Sequence, residues 1–423
     1  MSTTLTTLFL PVSMPVSDEI TEWPAGVLAQ VPAAWQSSPF RQFIVKIASR
    51  CNLSCDYCYM YEMSDDSWRR QSDRMSPETV RATAHRIADH ARAHGLAAVQ
   101  VILHGGEPLM PGPGYVGTVA AVLRAATAAR IDLRVQTNGT LLTNPVIDVL
   151  AREEIRVGVS LVGGPHANDI HRRYANGRGS HAAVARSLRR LRERAPHLFA
   201  GVLCTIDLRN DPVETYDAIQ EFEPPAADFL LPHGNWTTPP PGRDPDSAAA
   251  PYGQWLARLF DHWYAISPRR SQIRMFDELI HLMLGGQSQV ETVGLAPVGL
   301  IVVNTNGDLE QVDALRSAFN GAAQTGLNVH THDFDAALRH DAIVARQIGA
   351  AGLSPTCLQC KLHRMCGGGL YAHRYKAGTG FLNPSVYCND LTYLIQHIYR
   401  RVSGDVARLL EKTRVVGKDE VPL

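Results

Sequence analysis

The chain has 423 residues, 45% of them hydrophobic and 19% charged, enough to bury a large core in two or three domains of ordinary composition. Lys plus Arg and Asp plus Glu number 41 each, so no net field favours nucleic acid or an anionic membrane as partner. No apolar run reaches the roughly eighteen residues of a membrane span. The start, Met1-Ser2-Thr3-Thr4-Leu5, has no basic stretch and is interrupted by Pro11 and Pro15, so it does not read as a signal peptide. A cytoplasmic location is expected, where eight cysteines serve as metal ligands or free thiols rather than disulfides.

In chain order, residues 1–38 hold Pro11, Pro15, Pro24 and Pro32 with little periodicity and read as an extended N-terminal arm. Phe43 to Ala48 is a nearly continuous apolar run, as in a parallel strand covered on both faces. Ser76 as N-cap and Pro77 at the first position open a helix whose apolar face is Val80, Ala84, Ile87 and Ala91. Further strands are expected at 99–103, 133–135, 155–161, 202–206 and 228–231. Helices are expected near 116–129, 145–152, 181–194 and 212–222. Six such strands alternating with helices predict a parallel α/β sheet, either doubly wound or rolled.

The unusual residues fall at strand ends: a cysteine loop after the first, Gly105-Gly106-Glu107-Pro108 after the second, Gln136-Thr137-Asn138-Gly139 after the third, and Ser160 on the fourth. In a rolled sheet those ends converge on one mouth, which favours a barrel. Residues 232–251 carry six prolines and predict a long loop out of it. The stripe Tyr252, Trp255, Leu256, Leu259, Phe260 and Trp263 is a core-facing helix. A hairpin over 299–312, turning at Asn306-Gly307, starts a second, smaller domain. A final helix near 391–412 packs back through Leu391, Leu394, Ile395, Ile398 and Val402. The expected division is 1–38, 39–235, 236–296 (linker loop and bridging helices), 297–390 and 391–423.

The chemistry is concentrated in Cys51-Asn52-Leu53-Ser54-Cys55-Asp56-Tyr57-Cys58. A four-iron cube wants four ligands, and three thiolates leave one iron open for a small molecule. A structural zinc wants four Cys or His ligands, and no fourth lies near this loop. The spacing Cys-x3-Cys-x2-Cys, with aromatic Tyr57 before the last cysteine, resembles the signature of the radical S-adenosylmethionine (radical SAM) superfamily. That resemblance implies a partial (β/α)6 TIM-like barrel and a [4Fe–4S] cluster on Cys51, Cys55 and Cys58. It also implies S-adenosyl-L-methionine on the open iron, cleaved to a 5′-deoxyadenosyl radical.

Gly105, Gly106 and Glu107 match the superfamily's Gly-Gly-Glu motif, whose backbone and acid bind the cofactor's methionine amine. Ser160 and Arg172 match positions that hold its ribose and carboxylate, and an arginine fork suits a carboxylate. Gln136 and Asn138 are placed to contact cofactor or substrate at the mouth. Relatives often show an acid where this chain has Val162, so that part of the site departs from the pattern.

Cys357, Cys360, Cys366 and Cys388 make a second, closed set of four thiols that spacing alone assigns to zinc or a second cube. The segment resembles the small α+β SPASM and twitch auxiliary-cluster domains that follow the barrel of many peptide-modifying radical SAM enzymes. A full SPASM domain carries more cysteines and two auxiliary clusters. Here Leu370 and Val312 stand near two of the missing positions, which implies one auxiliary [4Fe–4S] cluster on these four thiols. In related sulfatase-maturing enzymes an acid beside the lost cysteine is a catalytic base, which makes Asp313 a candidate. Cys204 reads as a buried core thiol, and His330 and His332 as loop residues.

The runs at 58–62, 231–236, 273–278 and 366–371 resemble the FxsB group of peptide maturases, over roughly residues 40–400. The resemblance implies a three-residue cyclophane: a carbon–carbon bond from an aromatic ring to the β-carbon two residues along a ribosomally made precursor peptide. It also implies an external electron donor such as flavodoxin or ferredoxin, with His233 and Trp236 of the barrel-exit loop near the peptide. Competing readings are an anaerobic sulfatase maturase, a thioether-forming cyclase, and a zinc-stabilised adaptor without catalysis.

Overall fold

The computed structural model describes residues 25–416; most of the predicted arm, residues 1–24, and residues 417–423 lie outside the described residues. The remainder of the arm is packed rather than extended. A short helix, Ala25–Leu28, sets Val27 against Val344, Ala345 and Ile348. The Trp35 indole N–H donates to the Gln347 carbonyl at 3.4 Å. Burying Val27 and Trp35 offsets the entropy that an extended arm would keep.

Six parallel strands follow: β1 Gln42–Ala48, β2 Ala98–Gly105, β3 Arg130–Thr137, β4 Arg156–Ser160, β5 Phe199–Thr205 and β6 Ala227–Leu230. Each hydrogen-bonds to the next in chain order. A doubly wound sheet reverses its strand order midway; this one winds in a single direction, as a barrel does. The crossovers carry α1 Pro77–Ala93, α2 Pro113–Ala126, α3 Asn144–Arg152, α4 Pro165–His171, α5 His181–Arg194 and α6 Pro212–Gln220. Ser76 caps α1 as its sequence predicts, its hydroxyl accepting the Thr79 N–H at 3.0 Å. Helix α4 was not predicted.

The strands are less uniformly buried than a sheet covered on both faces would be. Val99, Val101 and Leu103 of β2 are buried against the helices, while Gln100, Ile102 and His104 face inward half-buried. Strand β3 repeats this, with Ile131, Leu133 and Val135 outward and Asp132, Arg134 and Gln136 inward. The inner face is therefore an open, polar lumen.

After the Pro-rich loop come α7 Pro251–Ala265 and α8 Arg274–Met283. The predicted hairpin forms from β7 Leu300–Val303 and β8 Asp308–Glu310, with Gly307 at φ +89° in its turn. Strand β9 Gln324–Asn328 pairs with β8. The hairpin does not start a separate sheet. Strand β7 runs parallel to β1, from Gln42 opposite Leu300 to Val45 opposite Val303, making one nine-stranded sheet in the order β9-β8-β7-β1-β2-β3-β4-β5-β6. Without β7 the β1 backbone would be an unpaired edge. Helix α9 Cys388–Val416 lays Leu391, Leu394, Ile395 and Ile398 into the core. Among the described residues no helix is long and apolar enough to cross a membrane.

Candidate active site at the barrel mouth

The carboxyl ends of β1 to β6 surround a cavity of about 790 Å³ whose wall includes Cys51, Cys55, Tyr57, Cys58, Gln136, Asn138, Ser160 and Arg172. The thiol loop is held from three sides. Cys55 pairs with Arg172, and Ser54 with Arg173, in a two-residue antiparallel bridge. Asn138 Nδ2 reaches Asn52 Oδ1 at 2.8 Å and Cys51 Sγ at 3.7 Å. The end of β2 closes the base: the Gly106 N–H donates to the Ala48 carbonyl at 3.0 Å and the Glu107 N–H to the Arg50 carbonyl at 2.8 Å. A Cβ on Gly105 (φ +142°) would collide with the Ala48 carbonyl, and one on Gly106 with the Arg50 carbonyl. The close backbone approach these glycines permit is to the thiol loop itself.

Burial pushes the Cys51 thiol up to about 11 and Cys58 up to about 12. Cys55 is also raised by burial, against the charge of Arg172. Thiols in so dry a wall are stable as thiolates only against the positive charge of a metal. None of the eight cysteines is in a disulfide. This donor set fits an iron–sulfur cube held at three corners.

Glu107 differs from its expected role. It is fully buried and absent from the cavity wall. Its Oε1 accepts from Leu109 N at 3.0 Å and Thr137 Oγ1 at 2.7 Å, and its Oε2 from Asn138 N at 2.7 Å. The carboxylate therefore pins the end of β3, and with it Asn138, against the thiol loop. Ser160 Oγ accepts from Gln136 Nε2 at 3.0 Å. Arg172 donates to Tyr57 Oη at 3.2 Å and to the Asn138 carbonyl at 3.5 Å, while its buried Nε has no partner among the described residues. Burial opposes the Arg172 charge, but Tyr57 and Cys55 outweigh it and the net shift is upward. An unfilled donor on a buried guanidinium at the cavity fits an anionic group such as the cofactor's carboxylate. Val162 is fully buried, with its N–H on Asn168 Oδ1 at 3.3 Å.

Asp313 lies outside the wall. It is paired closely with Lys46 and lies 3.3 Å from Arg316 Nε. Burial alone would raise its pKa, but Lys46 and Arg316 outweigh it and hold the carboxyl below its usual range. A carboxylate so held is a poor proton acceptor, contrary to the expected catalytic base. His233 is in the wall, edge-on to Tyr59 with ring centroids 4.9 Å apart. Burial lowers its pKa to about 4, so the ring is neutral. Trp236 is elsewhere: its indole N–H donates to the Pro384 carbonyl at 2.7 Å, and it is not in the wall. The structure thus separates the two residues expected near the peptide.

Among the wall residues that the sequence reading did not single out are two histidines, His104 and His171. His104, the third inward position of β2 after Gln100 and Ile102, was signalled by strand alternation. It and Gln136 also line a second cavity of about 1260 Å³ at the other end of the lumen. His171 bridges Asp56 Oδ1 at 2.7 Å and Asp207 Oδ2 at 3.1 Å. Away from the mouth, His90 and His94 share Asp335 Oδ1 at 3.0 and 2.8 Å. His90 Nε2 is buried without a partner. The cheaper tautomer places the proton on Nδ1, facing Asp335, which leaves no lone pair there for a metal.

The four thiols expected to form the second group lie near enough to feel one another's charges. Cys388 feels the charges of Cys357 and Cys360, and Cys366 those of Cys388 and Cys357; burial pushes Cys366 up to about 11. Gly367, Gly368 and Gly369 all have positive φ, and the buried Arg374 guanidinium binds their carbonyls at 2.6, 3.1 and 2.9 Å respectively. Cys204 is buried in β5.

Residues 45–219 match the family model of the radical SAM superfamily. The chain is 23% identical over 385 residues to a cysteine-type anaerobic sulfatase-maturating enzyme of Clostridium perfringens, covering 86% of this chain and 97% of that one. It is 24% identical over 292 residues to a serine-type enzyme of Bacteroides thetaiotaomicron, covering 66% and 70%. Among solved structures, native anSMEcpe with bound AdoMet and Cp18Cys peptide superposes at TM-score 0.73 with 20% identity, covering 87% of this chain and 99% of that one. Streptococcus suis SuiB bound to its precursor peptide SuiA gives 0.56 with 17% identity, covering 86% and 78%. These likenesses show the same fold, auxiliary region included.

Proposed function

We propose that this chain is a radical SAM peptide maturase that joins an aromatic ring to a side-chain β-carbon within a precursor peptide, forming a cyclophane. The observation that carries the reading is the pairing of two thiol sets in one molecule: three thiols in the wall of an open cavity and four in a closed group. Cys51, Cys55 and Cys58 would hold a [4Fe–4S] cluster, with S-adenosyl-L-methionine beside it, and Cys357, Cys360, Cys366 and Cys388 an auxiliary [4Fe–4S] cluster. When bound, the first cluster and its cofactor supply a 5′-deoxyadenosyl radical that takes a hydrogen atom from the peptide.

The chain's own residues bind and orient. Arg172 would offer its free donor to the cofactor's carboxylate and Ser160 would hold the ribose, Gln136 would contact cofactor or substrate, and Asn138, fixed by Glu107, steadies Cys51. Tyr57, Tyr59, Leu203, Leu230 and His233 give the wall an apolar, aromatic lining suited to an aromatic side chain. Asp313, bound by two cations, is not free to serve as the base of a sulfatase maturase, which favours crosslinking.

The curated relatives support a second reading, oxidation of a Ser or Cys side chain to an aldehyde. Anaerobic reaction with the full-length peptide of a small reading frame beside the gene separates the two. Crosslinking removes two hydrogen atoms per bond and leaves no group that a hydrazide captures. Hydrazide capture of the product would establish the aldehyde instead, and an unchanged peptide would reject both.

A further inference from the structure

We propose that the surface around Leu358, Lys361 and Arg364 is the docking site for a small acidic one-electron carrier protein. The inference rests on the cofactor part of the reading above, a cube on the four closed thiols, and not on which bond the enzyme makes.

Charge singles this segment out. The whole chain balances 41 cations against 41 acids, yet residues 342–389 contain Arg346, Lys361, Arg364, Arg374 and Lys376 and no Asp or Glu. Two of these cations act inside the fold: Arg346 pairs with Glu291 at 2.6 Å, and Arg374 is buried on the glycine carbonyls beside the thiols. The negative charge of a thiolate-bound cube is thus met from within by Arg374. Lys361, Arg364 and Lys376 are left over: all three are exposed, and none is in an ion pair among the described residues.

Lys361 and Arg364 follow directly on Cys360, itself half-buried, in the turn and in the short helix His363–Cys366. Beside them Leu358 keeps 45% of its surface exposed, one of few large apolar side chains to do so. An apolar contact bordered by cations, over a thiol that reaches the surface, suits a small transient interface steered by charge. It also brings a partner's redox group close to iron held by Cys360. One electron moves there without any bond forming or breaking: a reduced carrier loses it and the cube gains it. In the other direction the cube would pass to an oxidised carrier the electron that the peptide gives up on oxidation.

The test uses the full-length, iron-loaded protein and flavodoxin as probe. Binding of oxidised flavodoxin is measured at low and high salt, and bleaching of the iron–sulfur absorption is followed after mixing with reduced flavodoxin. In a Lys361→Glu/Arg364→Glu variant both affinity and second-order rate should fall about tenfold or more at low salt and lose most of their salt dependence. Dithionite, which needs no docking, should still drive 5′-deoxyadenosine formation as in the unaltered protein. Leu358→Ala should weaken binding but keep its salt dependence. Unchanged binding and rates would overturn the proposal, as would an equal loss in an Arg69→Glu/Arg70→Glu control on another face. Zinc rather than iron on the four closed thiols would overturn both this and the cofactor reading, whereas failure to crosslink a peptide bears on the proposed reaction alone.

Discussion

Arg172 keeps its charge where water does not reach, with Nη1 on Tyr57, Nη2 on the Asn138 carbonyl, and Nε unfilled. An unfilled buried donor costs about 1–3 kcal/mol until a ligand satisfies it. Arg172→Met should therefore weaken S-adenosyl-L-methionine binding about ten- to a hundredfold in equilibrium dialysis, the effect of losing a charged hydrogen bond of about 1.5–3 kcal/mol. An unchanged dissociation constant would place the cofactor's carboxylate elsewhere. His233 makes a pH prediction. Its pKa falls from 6.5 to about 4 on folding because burial disfavours the charged ring. Between those values the unfolded chain binds a proton that the folded chain does not, so stability rises with pH and is lost as pH falls toward 4. The ceiling is about 1.4 kcal/mol per pH unit, and a ring beside an open cavity contributes less. Thermal unfolding followed from pH 4 to 6.5 should show a shallower slope in His233→Phe than in the unaltered protein. The cysteine sets were legible as metal-ligand candidates, the first from three thiols within eight residues and the second, by spacing alone, as zinc or a cube. Glu107 and Trp236 were not, because sequence places a residue at a strand end or in a loop without saying which way its side chain turns.

Between elements, the strongest tie runs through Arg316. It pairs closely with Asp65, on the segment leading away from the thiol loop, and with Glu310 of β8, and it lies 3.3 Å from Asp313. Lys46 of β1 reaches Asp313 and Glu310 from the other side. Removing one cation from a buried network strands its acids, at about 3–5 kcal/mol. Arg316→Met should lower the unfolding free energy obtained from denaturant titration by that amount, and a loss below about 1 kcal/mol would mean that water enters the network. The cap of α1 was readable because Ser76, Pro77 and Thr79 act within one turn. Helix α4 was missed because its seven residues, Pro165–His171, carry no apolar period. Strand polarity was misjudged where Ile102 and Ile44 face the lumen, since an apolar residue reads the same on either face.

For the whole molecule, the continuous sheet makes barrel and auxiliary region one structure. Strand β7 covers β1, and Leu391, Leu394, Ile395 and Ile398 of α9 fill the core beside α7. A chain ending at Met283 loses both, leaving β1 as a bare edge beside exposed apolar surface. It should aggregate on size-exclusion chromatography; a stable monomer would show the barrel to be self-sufficient. By itself the sequence determined what is local: the metal-binding spacings, the alternation of strand and helix, the caps and the tight turn. Period and spacing are written in neighbouring residues, and neighbours fix them. Tertiary structure alone decided that β1 pairs with a strand more than 250 residues away, that the Glu107 carboxylate turns onto the chain itself, and that Asp313 is neutralised by two cations. Those outcomes depend on which distant groups share a dry interior, where a partner within about 3 Å decides whether a charge is spent or free.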